Sequence, residues 1–215
     1  MRIQWLGHAC FLLTTESGVN IVTDPFDGSV GYPQPEIHAD IVLISHQHFD
    51  HNCTSWLKGS FEEVKTAGKH EVKGVRIRGI KTYHDDKTGA LRGENIVFVI
   101  ETDGLKLCHM GDIGHLLSEE TAQKIGHVDV LMIPVGGVFT VGPAAALEII
   151  GQIAPNIIIP MHYKTEHLTL EIGPVHDFIN AVGRDYDISR LRENHLDVRK
   201  GKLKKRTRII VMEYM

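Results

Sequence analysis

SHQHFDHN, residues 45–52, places three imidazoles and one carboxylate within six positions: His46, His48, Asp50 and His51. Neutral imidazole and carboxylate are the ligands that zinc and its neighbours among the divalent metals take. Two such groups placed two residues apart in a tight turn can reach one ion. The apolar run Ile41–Ile44 just before them reads as a buried strand. A rigid support of that kind separates a credible active site from a surface patch of histidines.

The same arrangement recurs downstream. His84 follows the stretch Val75–Tyr83, Asp112 follows Leu105–Cys108 in HMGDIG, and His162 follows Asn156–Met161 in IPMHY. Three further polar groups thus sit just beyond predicted strand ends, where loops at one sheet edge converge from distant parts of a chain. Seven ligands suit two divalent ions that share one bridging carboxylate and one bridging hydroxide. We assign His46, His48 and His84 to the first ion, Asp50, His51 and His162 to the second, and Asp112 to the bridge. Zinc fits this nitrogen and oxygen set, and manganese, iron, cobalt and nickel are compatible with it. His109 competes with His84, but lies closer to a strand interior. Catalytic roles fall to Asp50, which would orient the nucleophile, and to His8, in the strand break between Gly7 and Ala9. His8 is read either as a hydrogen-bond partner of a ligand or as a proton donor facing substrate. His115 and a metal-bound water are alternative donors. Tyr163 and Lys164 follow His162, and Lys164 would favour an anionic substrate or transition state.

The remaining sequence fits a soluble enzyme. The 215 residues suit one domain, 1–215, and 42% hydrophobic content suffices for a substantial core. A formal net charge of −4 disfavours a nucleic-acid surface, although Arg199–Arg208 is locally basic. Three widely spaced cysteines, Cys10, Cys53 and Cys108, read as free thiols of a reducing compartment. The amino terminus lacks a signal-peptide pattern and no apolar run approaches the roughly 20 residues of a membrane span. A cytoplasmic location is the expectation.

Strands are predicted at Arg2–Leu6, Cys10–Thr15, Asn20–Thr23, Ile41–Ile44, Val75–Ile80, Ile96–Glu101, Leu105–Cys108, Val128–Ile133, Asn156–Pro160 and Ile209–Met212. Helices are predicted over Ser118–Ile125, with Ser118 as cap, and over Pro143–Ile153 and Pro174–Val182, each opened by proline. Gly68–Gly74 reads as a hairpin loop. PVGGVFTVGP, Pro134–Pro143, reads equally as a structural connection or as a pocket wall carrying Phe139.

His46-x-His48-x-Asp50-His51, joined by His84, Asp112 and His162, resembles the signature of the metallo-beta-lactamase superfamily. WLGHACFLL near the start, TDPF around Asp24 and PVGGVFTVGPAAA resemble its UPF0173 branch of metal-dependent hydrolases, and the ascorbate-6-phosphate lactonases look similar in outline. The resemblance covers nearly the whole chain. It implies an α+β fold, a four-layer αββα sandwich with a dinuclear site at one edge between the sheets, and it admits a homo-oligomer. The function expected is metal-dependent hydrolysis of a small anionic ester, lactone or phosphodiester. A nuclease and a non-catalytic metal-binding protein are the alternatives. Phe49 makes the interior of the motif more apolar than the common alanine version and would narrow the approach to the ions.

Overall fold

A computed structural model describes residues 1–214. Its strands form two large sheets and one two-stranded sheet. β1 (Arg2–Gly7), β2 (Cys10–Thr14), β3 (Asn20–Thr23), β4 (Ile37–His38), β5 (Ile41–Leu43), β6 (Leu57–Lys58), β7 (Glu62–Val64) and β8 (Gly68–Val72) come first. β9 (Val75–Tyr83), β10 (Glu94–Thr102) and β11 (Leu105–His109) form a meander. From there strands alternate with helices: α1 (Glu119–Ile125), β12 (Val130–Pro134), α2 (Pro143–Ile153), β13 (Ile157–Met161), α3 (Val175–Ala181) and β14 (Asp187–Leu191). β15 (His195–Asp197) and β16 (Arg208–Met212) end the series.

The six-stranded sheet has the order β15-β1-β2-β3-β5-β7, and the eight-stranded sheet β14-β16-β13-β12-β11-β10-β9-β8. β11, β12 and β13 run parallel and step in one direction across the sheet. Right-handed crossovers between such strands put their helices on a single face. That face is the outer one, so β12 and β13 are covered on both sides and every residue in them is buried. The inner face packs on the other sheet through Phe11, Leu13, Ile21, Ile41 and Leu43, which join Phe98, Leu107 and Leu131 in one core.

Alternate residues of the six-stranded sheet, Leu6, Cys10, Val22, Val42 and Ile44, point outward into a second cluster. Phe26, Tyr32, Trp56 and Leu168 cover it from loops and short strands rather than from a long helix. The fold is thus an α+β sandwich whose outer layer on this side is largely irregular. Trp56 Nε1 donates to the Phe26 carbonyl at 3.0 Å, so the covering loops tie to one another.

The predicted helices and main strands fall where the sequence places them. Gly68–Gly74 differs. Its first five residues form β8, paired antiparallel to β9 from Gly68↔Gly79 to Val72↔Val75, and only Lys73–Gly74 is the turn. β8 is an exposed edge with one fully buried side chain, Val72, so it carries no apolar alternation to read. β14 and β15 escape the sequence reading for the same reason. β15 crosses back to pair with β1, from Arg2↔Asp197 to Gln4↔His195.

Candidate metal centre

Strand direction gathers the polar residues at one edge. β3 and β5 are parallel and end together, delivering Asp24 and the Ser45–His51 turn. The β1–β2 turn, which holds His8, lies at that same end because β2 is antiparallel to both neighbours. In the facing sheet β9, β11 and β13 share one direction, and His84, Asp112 and His162 follow their carboxyl ends. The histidines and aspartates named here are buried, except that His48 is exposed, as are its turn neighbours Gln47 and Phe49.

Asp112 is the meeting point. Its Oδ2 lies 3.2 Å from His51 Nε2, 3.2 Å from His84 Nε2, 3.1 Å from His162 Nε2 and 3.9 Å from His46 Nε2. Asp50 Oδ2 lies 3.5 Å from His51 Nε2 and 3.1 Å from His8 Nε2. The ligand atoms form three overlapping groups, each within 4.8 Å: His46, His48 and His84; His8, Asp50, His51 and His162; and His46, His51 and Asp112. The chain brings all seven expected ligands together. It adds His8 to the second group.

A network behind the cluster sets the ring orientations. The Asp24 carboxylate accepts from Ser45 N at 2.7 Å and Ser45 Oγ at 2.7 Å. It also faces His51 Nδ1 at 3.0 Å and His109 Nε2 at 2.9 Å. An ionised carboxylate only accepts, so both rings donate to it. His51 therefore directs Nε2 toward Asp112 and Asp50. Ser45 commits its one hydroxyl hydrogen to Asp24, so His46 Nδ1, 2.9 Å away, must donate to Ser45 Oγ. That leaves His46 Nε2 bare and facing Asp112. Buried carboxylates that orient ligating imidazoles in this way also raise their basicity.

The electrostatics call for a cation. Asp24, Asp50 and Asp112 are three buried carboxylates. Burial would raise the pKa of each, but the neighbouring histidines outweigh it and hold all three below the usual range. Burial pushes His46 down to about 3 and His8 to about 4, with repulsion from nearby rings adding to both. His51 moves the other way, because Asp112 and Asp50 outweigh the burial that would lower it. The buried polar atoms His46 Nε2, His51 Nε2, His162 Nε2 and Asp112 Oδ1 have no hydrogen-bond partner. Unsatisfied groups of this kind cost roughly 1–3 kcal/mol each, more when charged. A divalent ion among them would satisfy them together, so the residues fit a metal.

The backbone is strained at the same place. His8 (φ 51°), Asp24 (φ 41°) and His162 (φ 51°) all adopt the left-handed conformation. Such outliers persist where surrounding structure over-determines them. The Trp5 indole at 3.0 Å and the His162 amide at 3.1 Å both donate to the His8 carbonyl, which ties two of the three together. Both glycines of MGDIG are required by close approach. A Cβ on Gly111 would lie 2.3 Å from Asn95 Oδ1, and one on Gly114 would lie 2.3 Å from the His84 carbonyl carbon.

Several candidates lie elsewhere. His109 pairs with Asp24, behind the cluster, whereas His84 faces Asp112. His8 is fully buried behind Asp50. The Lys164 ammonium donates to the Leu168 and Leu170 carbonyls at 2.8 and 3.0 Å and to Glu171 at 2.9 Å, so it closes its own loop and is not free for an anion. Tyr163 is buried with its hydroxyl toward the Met212 carbonyl. His115 accepts from the Tyr83 amide and donates to the Leu116 carbonyl, which occupies both ring nitrogens. The sequence reading missed the part played by Asp24 and Ser45. The signal for Asp24 was present: it follows an apolar strand just as Asp112 does.

Comparison with known proteins agrees with this geometry. Residues 2–162 match the family described as Beta-lactamase superfamily domain. The UPF0173 metal-dependent hydrolase Ta0764 of Thermoplasma acidophilum is 30% identical over 191 residues, covering 77% of this chain and 84% of the relative. A UPF0173 metal-dependent hydrolase of Methanoregula boonei is 31% identical over 215 residues, covering 88% and 93%. A crystal structure of a metallo-beta-lactamase superfamily protein from Thermotoga maritima superposes with a TM-score of 0.80 at 41% identity, covering 98% of each chain. With these sheets and this convergence of histidines on Asp112, the chain belongs to the metallo-beta-lactamase superfamily and, within it, to the UPF0173 metal-dependent hydrolases.

Proposed function

We propose that the chain, read as one catalytic domain over residues 1–215, hydrolyses a small anionic ester, lactone or phosphodiester at a dinuclear centre. His46, His48 and His84 would hold one divalent ion and Asp50, His51 and His162 the other, with Asp112 shared between the two sets. The observation that carries this reading is Asp112 Oδ2, within 3.1–3.9 Å of imidazole nitrogens from both sets, beside an Oδ1 that has no partner. Zinc is the metal the donor set favours, with manganese, iron, cobalt and nickel as alternatives. The Thermotoga maritima protein is described as a candidate zinc-dependent hydrolase. Two bound cations supply an activated water at neutral pH and polarise the oxygen of the bond to be cut.

The chain's own groups do the positioning. His8 is neutral and donates through Nε2 to Asp50 Oδ2, which fixes the plane of that carboxylate. Asp50 lines the opening and orients the nucleophile. Its partner His8 lies behind it, away from the opening, so His8 serves as a positioning residue for Asp50. No helix among the described residues is long and apolar enough to cross a membrane. A cytoplasmic setting and self-association are part of the same proposal.

Elemental analysis of the purified protein tests the centre, together with a hydrolysis panel of phosphodiesters, lactones, esters and thioesters. Two metal equivalents per chain are expected. Asp112→Ala should lose at least one of them and all hydrolysis. Two equivalents and full activity in that variant would reject the bridging role.

A further inference from the structure

A cavity of about 420 Å³ opens above the cluster. Asp50, His84 and Asp112 form its floor, and Phe49, Phe139 and Leu170 stand at its sides. Arg92 is the one lysine or arginine among its described lining residues. Its guanidinium lies 5.7 Å above the Phe139 ring and directs one nitrogen to the Val138 carbonyl at a long 3.4 Å. Among the described residues no carboxylate lies within salt-bridge distance of it. A guanidinium carries five donors in a planar fork, so most of the fork stays available to a ligand.

The loop that carries Arg92 is built to hold it. Asp85, next to His84, is buried and accepts four backbone amides, from Lys87, Gly89, Leu91 and Arg92, at 2.7–3.0 Å. The His84 amide donates to Gly93 O at 3.0 Å and closes the loop at its base. Arg92 is thereby fixed relative to His84. Across the opening Val138, a β-branched residue, is held at φ 63° while its side chain is 64% exposed. Positive φ is a rare and costly conformation for such a residue. It places the neighbouring Phe139 under the guanidinium.

We propose that Arg92 is the specificity-determining residue of the site, and that it selects substrates carrying an oxyanion, carboxylate or phosphate, on an apolar body that packs against Phe49, Phe139 and Leu170. This deepens the hydrolytic reading above and rests on it. It moves anion recognition from Lys164, whose donors are engaged within its own loop, to Arg92, which lines the opening.

Three probes of similar shape test the assignment: 4-phenylbutyrate, 3-phenylpropylphosphonate and 4-phenylbutanamide. Their binding to the metal-loaded full-length protein is measured by calorimetry for wild type, R92Q and R92K. In R92Q both anions should weaken about tenfold or more, the scale of a lost charge-assisted hydrogen bond. The amide should stay within about twofold, and R92K should retain part of the anion affinity. The anion that suffers the larger loss identifies the headgroup. Anions that weaken no more than the amide in R92Q, or that fail to bind wild type, would overturn the proposal. Binding is read whether or not any compound in the hydrolysis panel is turned over, so failure of the catalytic reading and failure of this one give different results.

Discussion

Asp24→Asn is the most informative single change outside the proposed ligand set. The carboxylate accepts Ser45 N at Oδ1 and receives Ser45 Oγ, His51 Nδ1 and His109 Nε2 at Oδ2. Asparagine keeps the shape but replaces one oxygen with a donor. In either amide orientation that donor meets at least one other donor in a fully buried position. Hydrogen bonds to a charged group contribute about 1.5–3 kcal/mol each. The better orientation keeps the amide oxygen at the Oδ2 position, loses the Ser45 N bond and leaves three bonds to a neutral acceptor, which together cost about 3 kcal/mol, a large share of the 5–15 kcal/mol typical of a domain. The effect on metal has a separate cause. With a neutral amide oxygen in place of the carboxylate at Nδ1, His51 is held less strongly with its proton on the Asp24 side, and its Nε2 is held less firmly toward Asp112. Loss of such an orienting carboxylate weakens metal binding about 10–100-fold. Competition against a chromophoric chelator measures the affinity, and urea unfolding of the metal-stripped chain measures the stability. His109→Gln is the control, because it removes one Asp24 partner and leaves His51 oriented, so its metal affinity should change less. Metal binding in Asp24→Asn within about twofold of wild type would refute the idea that Asp24 sets the His51 tautomer.

Three further outcomes follow from particular contacts. Gly114→Ala would drive a Cβ into the His84–Asp85 backbone, with atoms at 2.3–2.4 Å; a loss of about 1–3 kcal/mol in urea unfolding and weaker metal binding are expected, and wild-type values for both would show that the strand end shifts freely. Lys164→Ala should weaken anionic and neutral probes alike and lower stability, since it unties the 164–171 loop; a selective loss of anion affinity would restore Lys164 as the recognition residue. Burial pushes the Cys108 thiol up to about 12, which leaves about one part in ten thousand as thiolate at pH 8. Cys10 is buried as well and raised by burial and by Asp24, while Cys53 is part-exposed. A chromogenic disulfide should therefore titrate one thiol per native chain and three after unfolding, and rapid reaction of three thiols in the native protein would contradict this packing.

What the sequence discloses about this molecule tracks how local the determining forces are. The interior strands are apolar runs because both of their faces are covered, so Ile41–Ile44 and Asn156–Pro160 can be read without neighbours. β8, β14 and β15 are set by partners distant in sequence, and their half-exposed, polar residues bear no mark of it. The ligand candidates are legible because histidine and aspartate just past a buried strand have few structural reasons to be there. Asp24 has the same placement, but Pro25 beside it lets the pair pass for an ordinary turn. Lys164 shows the opposite error. Proximity to His162 suggests a role at the opening, whereas three acceptors within the next seven residues capture its ammonium.

The local rules fail where the chemistry is concentrated. Left-handed backbone at His8, Asp24 and His162, and unpartnered buried nitrogens at His46, His51 and His162, each raise the free energy of the folded chain on their own. None of them improves packing elsewhere. The surrounding sheets can hold these features because their two buried clusters are extensive and continuous up to the strand ends. A cation bound at Asp112 would remove the part of the penalty that comes from the unpartnered nitrogens and the crowded carboxylates. Metal should therefore stabilise this fold far more than a surface ion would. That gain should fall sharply with loss of the Asp112 carboxylate and persist when Arg92 is replaced, because Asp112 lies among the ligand atoms whereas Arg92 lines the opening without entering the metal-ligand groups.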